Sequence, residues 1–107
     1  MQRVPKGKAR KLRLFEPLKA FDKDWEKLAH SGRYDLSRLK TVMMLLLDPD
    51  LPLPAQYLDH PLQGSWDGHR ECHIGGDWLV IYQLADVGTK SETVIFCRTG
   101  THSELFG

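Results

Sequence analysis

The hydrophobic periodicity of this chain changes once, and the change falls at its prolines. From Leu18 to Leu47 apolar residues recur at helical spacing; from Gly68 to Thr99 they run in short segments rich in β-branched and aromatic residues. Between the two lies a connection that holds Pro52, Pro54 and Pro61. Proline fixes φ, so this connection is stiff and extended rather than a flexible linker. Helices grouped ahead of strands point to an α+β domain: a compact antiparallel β-sheet with an N-terminal helical hairpin on one face, in the order β-α-α-β-β-β. With 107 residues the chain supports one modest core, so residues 1–107 form a single domain.

Within the helical half, Leu18, Phe21, Trp25 and Leu28 form one stripe, and Gly32 is placed to end the helix. Trp25 is read as core. Asp35 suits the N-cap of a second helix, whose stripe is Leu36, Leu39, Met43 and Leu46. Asp48-Pro49 stops it. Ahead of both helices, Lys11-Leu12-Arg13-Leu14-Phe15 alternates like a strand, and Pro17 ends it. In the second half, Gly75-Gly76 reads as a hairpin turn. That turn would set Cys72 against Leu79 and His73 against Trp78, with Cys72, Ile74, Leu79 and Ile81 on the core face and His73, Trp78 and Tyr82 opposite. A one-residue slip reverses both faces. Gly100 then frees the tail.

The net charge is +1, but its distribution is uneven: Arg3, Lys6, Lys8, Arg10, Lys11 and Arg13 precede the first acid. Residues 1–10 read as a mobile basic arm, equally suited to solvation and to phosphate contact. No apolar run approaches the roughly 20 residues of a membrane helix. The basic start lacks the apolar segment of a secretory signal, so a cytoplasmic protein without membrane partners is expected. Cys72 and Cys97 do not make a disulfide framework; they read as buried thiols, with a bridge between neighbouring strands left open.

Four of the five histidines fall after Asp59. His60, His73 and His102 come from three segments, and Asp77 adds a carboxylate. Imidazole gives and takes protons near neutral pH. Two chemistries use such a set. A metal site is one, but none of the spacings is a metal motif. Metal-free cleavage of an RNA phosphodiester is the other. It needs a base for the 2′-hydroxyl, an acid for the leaving 5′-oxygen and a cation for the phosphate. Arg98 suits the phosphate, because a guanidinium matches its oxygens with paired hydrogen bonds. Trp78 and Phe106 suit stacking on splayed bases. Taken singly, Trp78 reads equally as core, Arg98 as a surface ion pair and Phe106 as an anchor for the tail.

The stretches Leu51–Trp66, Gly68–His73, Asp77–Tyr82 and Arg98–Gly107, with DHPL, RECH, DWLVIY and RTGTHSELF among them, resemble the YafQ branch of the RelE toxin superfamily. The similarity covers about half of the chain without gaps. It implies a toxin of a bacterial type II toxin–antitoxin pair, a ribosome-dependent endoribonuclease that cuts mRNA in the A site without metal or cofactor. It also implies a cognate antitoxin, the ribosome and mRNA as partners, and a toxin–antitoxin complex that binds operator DNA through the antitoxin. Position by position, His60, His73, Asp77 and His102 fall on the family's catalytic residues. Trp78, Arg98 and Phe106 fall on its substrate-contacting positions. His102 is favoured as the acid, His60 or His73 as the base, and Asp77 as a group that orients a histidine. The alternative is an inactive module that binds antitoxin or ribosome. The chain departs from the family at His69, where tyrosine is common, at Asp67, where a basic residue is common, and at the Gly75-Gly76 turn.

Overall fold

The computed structural model describes residues 11–107; the basic arm expected at 1–10 lies outside them. Leu14–Pro17 forms β1, an edge strand that pairs parallel to the last strand, with Leu14 opposite Thr93 and Pro17 opposite Phe96. The sheet is therefore mixed rather than wholly antiparallel, within the expected α+β class. Arg13 secures this edge. Its backbone N–H donates to the Leu47 carbonyl (2.7 Å), and its guanidinium reaches the Leu46 carbonyl (2.8 Å) and the Glu92 carboxylate. Arg13 is thus committed to the fold and does not extend the basic arm.

Helix α1 spans Lys19–Ser31 and closes on Gly32, whose φ of 68° is the left-handed C-cap conformation. Helix α2 spans Leu36–Leu46, and its N-cap Asp35 accepts from the Ser37 N–H at 3.0 Å. Phe21 and Leu28 from α1 and Leu39, Val42 and Leu46 from α2 are buried. Trp25 packs at the margin of this core. The proline-rich connection makes a 3₁₀ turn at Ala55–Tyr57 and then a two-residue strand, β2, at His60–Pro61.

The remaining strands are β3 (Arg70–Gly75), β4 (Trp78–Ala85) and β5 (Thr93–Thr101), and the sheet order is β1-β5-β4-β3-β2. The β3–β4 register differs by one residue from the expected one: Cys72 pairs with Val80, His73 with Leu79 and Gly75 with Trp78. Gly75 remains in the strand, beneath the Arg38 guanidinium, which a Cβ there would displace. The turn falls on Gly76, with φ of 57°, and Asp77. The slip exchanges the two faces of β4, while Cys72 and Ile74 keep the expected core face. Cys72, Ile74, Trp78, Val80 and Tyr82 join Val94, Phe96 and the helices in the main core. Leu79 and Ile81 lie on the other face with Cys97 and Leu105. The two cysteines are free; they belong to different faces, and β4 separates their strands.

The tail is structured rather than free. Thr101 caps a short helix, α3, at His102–Phe106, and Thr101 with Glu104 forms a complete capping box. This helix closes the end of the second face.

Candidate active site

On β3, alternate side chains point to one face, so Glu71 and His73 share the face that the helical hairpin leaves open. Strand β2 brings His60 opposite Glu71. The Glu71 carboxylate is buried; its Oε2 lies 3.1 Å from His60 Nε2 and 3.7 Å from His73 Nε2. The two imidazoles stand 6.2 Å apart between centroids. Glu71 Oε1 is buried without a hydrogen-bond partner among the described residues. Behind His60, Nδ1 donates to the Leu58 carbonyl at 2.6 Å. Leu58 holds φ 50°, ψ 40° to present that carbonyl, a left-handed conformation that costs a non-glycine residue roughly 1–2 kcal/mol.

Helix α3 supplies the second half of the site. His102, its first residue, is exposed and lies 4.7 Å from the Phe106 ring. Phe106 meets Trp66 edge-on at 6.1 Å, and Trp66 meets His69 at 5.1 Å. The β4–β5 ladder ends at Trp78 opposite Thr101, which makes Asp77 and His102 the next residues out on the two neighbouring segments. Asp77 is exposed in its turn.

Arg98 stands apart from the histidines, in a cleft between α1 and α3 lined by Asp24, Lys27, Arg33 and Glu104. Its Nε and one Nη donate to Asp24 at 2.7 and 3.1 Å. The Asp24 carboxylate holds the guanidinium above its ordinary pKa range, against the effect of burial. The other Nη has no hydrogen-bond partner among the described residues. A β-bulge at Cys97 shifts the register between Ile81 opposite Arg98 and Tyr82 opposite Phe96.

Of the two readings of Trp78, base stacking and core, the described structure has the core one: Trp78 is 4% exposed, packs edge-on against Tyr34 at 5.0 Å, and donates Nε1–H to Thr99 Oγ1 at 3.0 Å. The slipped register turns it toward the helices. Tyr82 follows it, donating to Asp59 at 2.6 Å; burial first, and that carboxylate second, push its phenol far up. Conversely, sequence reasoning passed over Glu71 and Trp66. Glu71 was legible: two residues before His73 in a strand, it must share the face of His73 whatever the register. Trp66 sits in the 3₁₀ turn Gly64–Trp66, where no periodicity marks a face.

A family model described as "Bacterial toxin of type II toxin-antitoxin system, YafQ" matches residues 13–107. The chain belongs to the YafQ toxin family. It is 51% identical over 81 residues to the mRNA interferase toxin YafQ of Escherichia coli strain K12, across 76% of this chain and 83% of that protein. It superposes on the toxin in the crystal structure of the E. coli DinJ–YafQ complex with a TM-score of 0.74 at 47% identity, covering 89% of this chain and 99% of that one. A metal-bound toxin from Helicobacter pylori superposes with a TM-score of 0.74 at 41% identity, covering 88% and 99%. Among the described residues, no three His, Cys, Asp or Glu side chains are placed to hold an ion. Among them, too, no helix is long and apolar enough to cross a membrane.

Proposed function

We propose that this YafQ-family chain is an mRNA endoribonuclease whose histidines perform acid/base catalysis on ribosome-held mRNA in the cytoplasm. The observation that carries the reading is the pair His60 and His73 gathered on Glu71, on the same open face that α3 completes with His102 and Phe106. One imidazole removes the 2′-hydroxyl proton, the 2′-oxygen attacks phosphorus, and a second imidazole protonates the leaving 5′-oxygen. His102, exposed at the start of a helix, is the acid. Asp77, which like His102 lies one residue beyond the end of the β4–β5 ladder, orients it. Arg98, held rigid by Asp24, offers its free Nη to a phosphate oxygen, and Phe106 with Trp66 offers a ring edge and face to a base.

The site holds few groups that position RNA. Aligning a 2′-oxygen with phosphorus can be worth about 7–11 kcal/mol of barrier. A codon already held in the ribosomal A site supplies that alignment. The partner that silences this toxin is a cognate antitoxin, as DinJ accompanies YafQ in the E. coli complex, and the complex of this chain with its antitoxin binds operator DNA through the antitoxin. The test is one mRNA, presented free and in a programmed ribosome with an empty A site. Cleavage is expected only on the ribosome, without added divalent metal at the toxin, giving a 2′,3′-cyclic phosphate and a 5′-hydroxyl. Equal cleavage of both forms makes the protein a general ribonuclease. No cleavage of either leaves a binding module.

A further inference from the structure

We infer that Glu71 is a positioning residue that holds His60 as an imidazolium, so that His73, and not His60, is the ring free to take the 2′-hydroxyl proton. The inference deepens the ribonuclease reading and rests on it for the role of His73. The argument begins at the far side of the His60 ring. A carbonyl only accepts, so the 2.6 Å contact with Leu58 places a proton on Nδ1. A neutral ring with that proton has a lone pair at Nε2. Yet Nε2 lies 3.1 Å from a carboxylate oxygen that also carries lone pairs. Two lone pairs at that separation repel. The contact becomes attractive when the ring carries a second proton and with it a positive charge. Imidazole is ordinarily the stronger base of the two by about 2 pH units, so the proton resides on the ring.

The state of Glu71 agrees. Its side chain is 7% exposed, and Oε1 has no partner among the described residues. A buried carboxylate with an idle oxygen is costly unless a cation compensates it. His60 is the nearest cation available, and the β2–β3 pairing of His60 with Glu71 is what delivers it. The strained Leu58 carbonyl fixes the ring from behind. With both of its nitrogens protonated, His60 cannot accept a proton. It contributes positive charge beside the scissile phosphate. His73, whose Nε2 is 3.7 Å from the same oxygen, is oriented by Glu71 yet keeps a nitrogen for the substrate. The proton then moves from the 2′-hydroxyl to His73 as the 2′-oxygen–phosphorus bond forms. The bond from phosphorus to the 5′-oxygen breaks as His102 supplies the leaving proton.

The experiment is nitrogen-15 NMR of the histidine rings at pH 7 in the full-length toxin, beside single-turnover cleavage on programmed ribosomes. In the wild type, His60 is expected to show two protonated ring nitrogens. In Glu71→Gln, which keeps the shape but loses the charge, His60 should become a neutral ring protonated at Nδ1. The cleavage rate should fall roughly 10- to 100-fold with little change in half-saturating toxin, as when the partner of a functional histidine is removed. Glu71→Asp should recover part of both signals. A neutral His60 in the wild type overturns the inference by itself, even if Glu71→Gln fails to fold. So does an imidazolium that persists in a folded Glu71→Gln. Wild-type protein that shows the imidazolium but cuts no mRNA supports the Glu71–His60 pairing and overturns the ribonuclease reading instead.

Discussion

The two faces of the sheet are built from alternate residues of the same strands, yet they obey different rules. The face under α1 and α2 buries Cys72, Ile74, Trp78, Val80, Tyr82, Val94 and Phe96 against five buried helical side chains. Its polar atoms are matched: Trp78 donates to Thr99, and Tyr82 donates to Asp59, which Arg70 also approaches at 3.3 Å. Burial opposes the Arg70 charge, but Asp59 and Tyr82 outweigh it and raise its pKa. Among the described residues, the apolar side chains buried on the open face are Leu79, Ile81, Cys97 and Leu105, with Leu62, Trp66 and Phe106 half-covered at its edge. It is there that Glu71 keeps an unmatched oxygen. Unmatched buried charge is selected against where stability is the only demand. One face holds the domain together, and the other tolerates cost because it carries chemistry.

The largest effects should separate these faces. His73→Ala and His102→Ala are each expected to lower the cleavage rate on programmed ribosomes by about 10²–10⁴-fold. Their stability should stay within roughly 0.5 kcal/mol of wild type, since neither ring belongs to a buried cluster. His30→Ala serves as the control; that ring is exposed on α1 and, among the described residues, bonds the Glu26 carbonyl alone. Losses of similar size from His30→Ala would break the division. Trp78→Ala should do the reverse, costing about 3–5 kcal/mol in denaturant unfolding. Trp78→Phe should keep its cleavage rate per folded molecule. A stably folded Trp78→Phe that cuts nothing would return Trp78 to the active site.

Asp24→Ala sharpens the boundary between the faces. Asp24 holds Arg98 and also accepts the Thr99 N–H at 3.1 Å, beyond the point where β1 stops pairing with β5. Its loss should cost about 1.5–3 kcal/mol, the range for hydrogen bonds to a charged group. It should also weaken substrate binding through a loosened Arg98, read as a rise in half-saturating toxin. The thiols report the faces in a milder way. Burial raises both, and Asp59 and Glu71 raise Cys72 further. A disulfide reagent at pH 8 should therefore modify Cys97 before Cys72. The opposite order would place the better-protected core on the wrong side of the sheet.

Much of this was readable in the residues, for reasons that differ by element. The helices were legible because Phe21, Leu28, Leu39 and Leu46 recur at the helical period and because Gly32 and Asp35 have cap chemistry. The face of Trp78 was not, because period 2 is blind to a one-residue slip. The slip turned on whether Gly75 stayed in the strand, and a tertiary neighbour, Arg38, covers it there. The parallel pairing of β1 was hidden as well, since Leu14-Phe15-Glu16-Pro17 carries no mark of direction. Helix α3 could have been found: Thr101 and Glu104 have capping-box spacing just after Gly100. His60 and His73 were identified by residue type, but the carboxylate that joins them lies between them only once β2 pairs with β3.

The smallest expected effect lies at the rim of the open face, where α3 begins. The Thr101 N–H, donating at 2.8 Å, holds the Glu104 carboxyl below the usual carboxylate range, and Lys27 at 3.2 Å adds to this. Glu92, on the opposite border of the sheet, is lowered in the same way by the Gly88 N–H at 2.7 Å and by Arg13. Both groups have folded values below their unfolded ones, so the folded protein binds fewer protons than the unfolded chain as pH falls through the carboxylate range. Their contribution is complete above an unfolded value of about 4.3 and is lost as pH drops through the lowered folded values. Glu104 is 40% exposed, so solvent screens most of this and the loss is modest. A thermal-melting series from about pH 6 to pH 3 should show Tm falling in the acid limb. Glu104→Gln keeps an oxygen for the Thr101 N–H but cannot titrate, so its Tm should start slightly lower at pH 6 and fall less steeply. Parallel curves for the two proteins would mean that α3 is held by the packing of Leu105 and Phe106 alone, and that its first turn adds no pH-dependent tie to the open face.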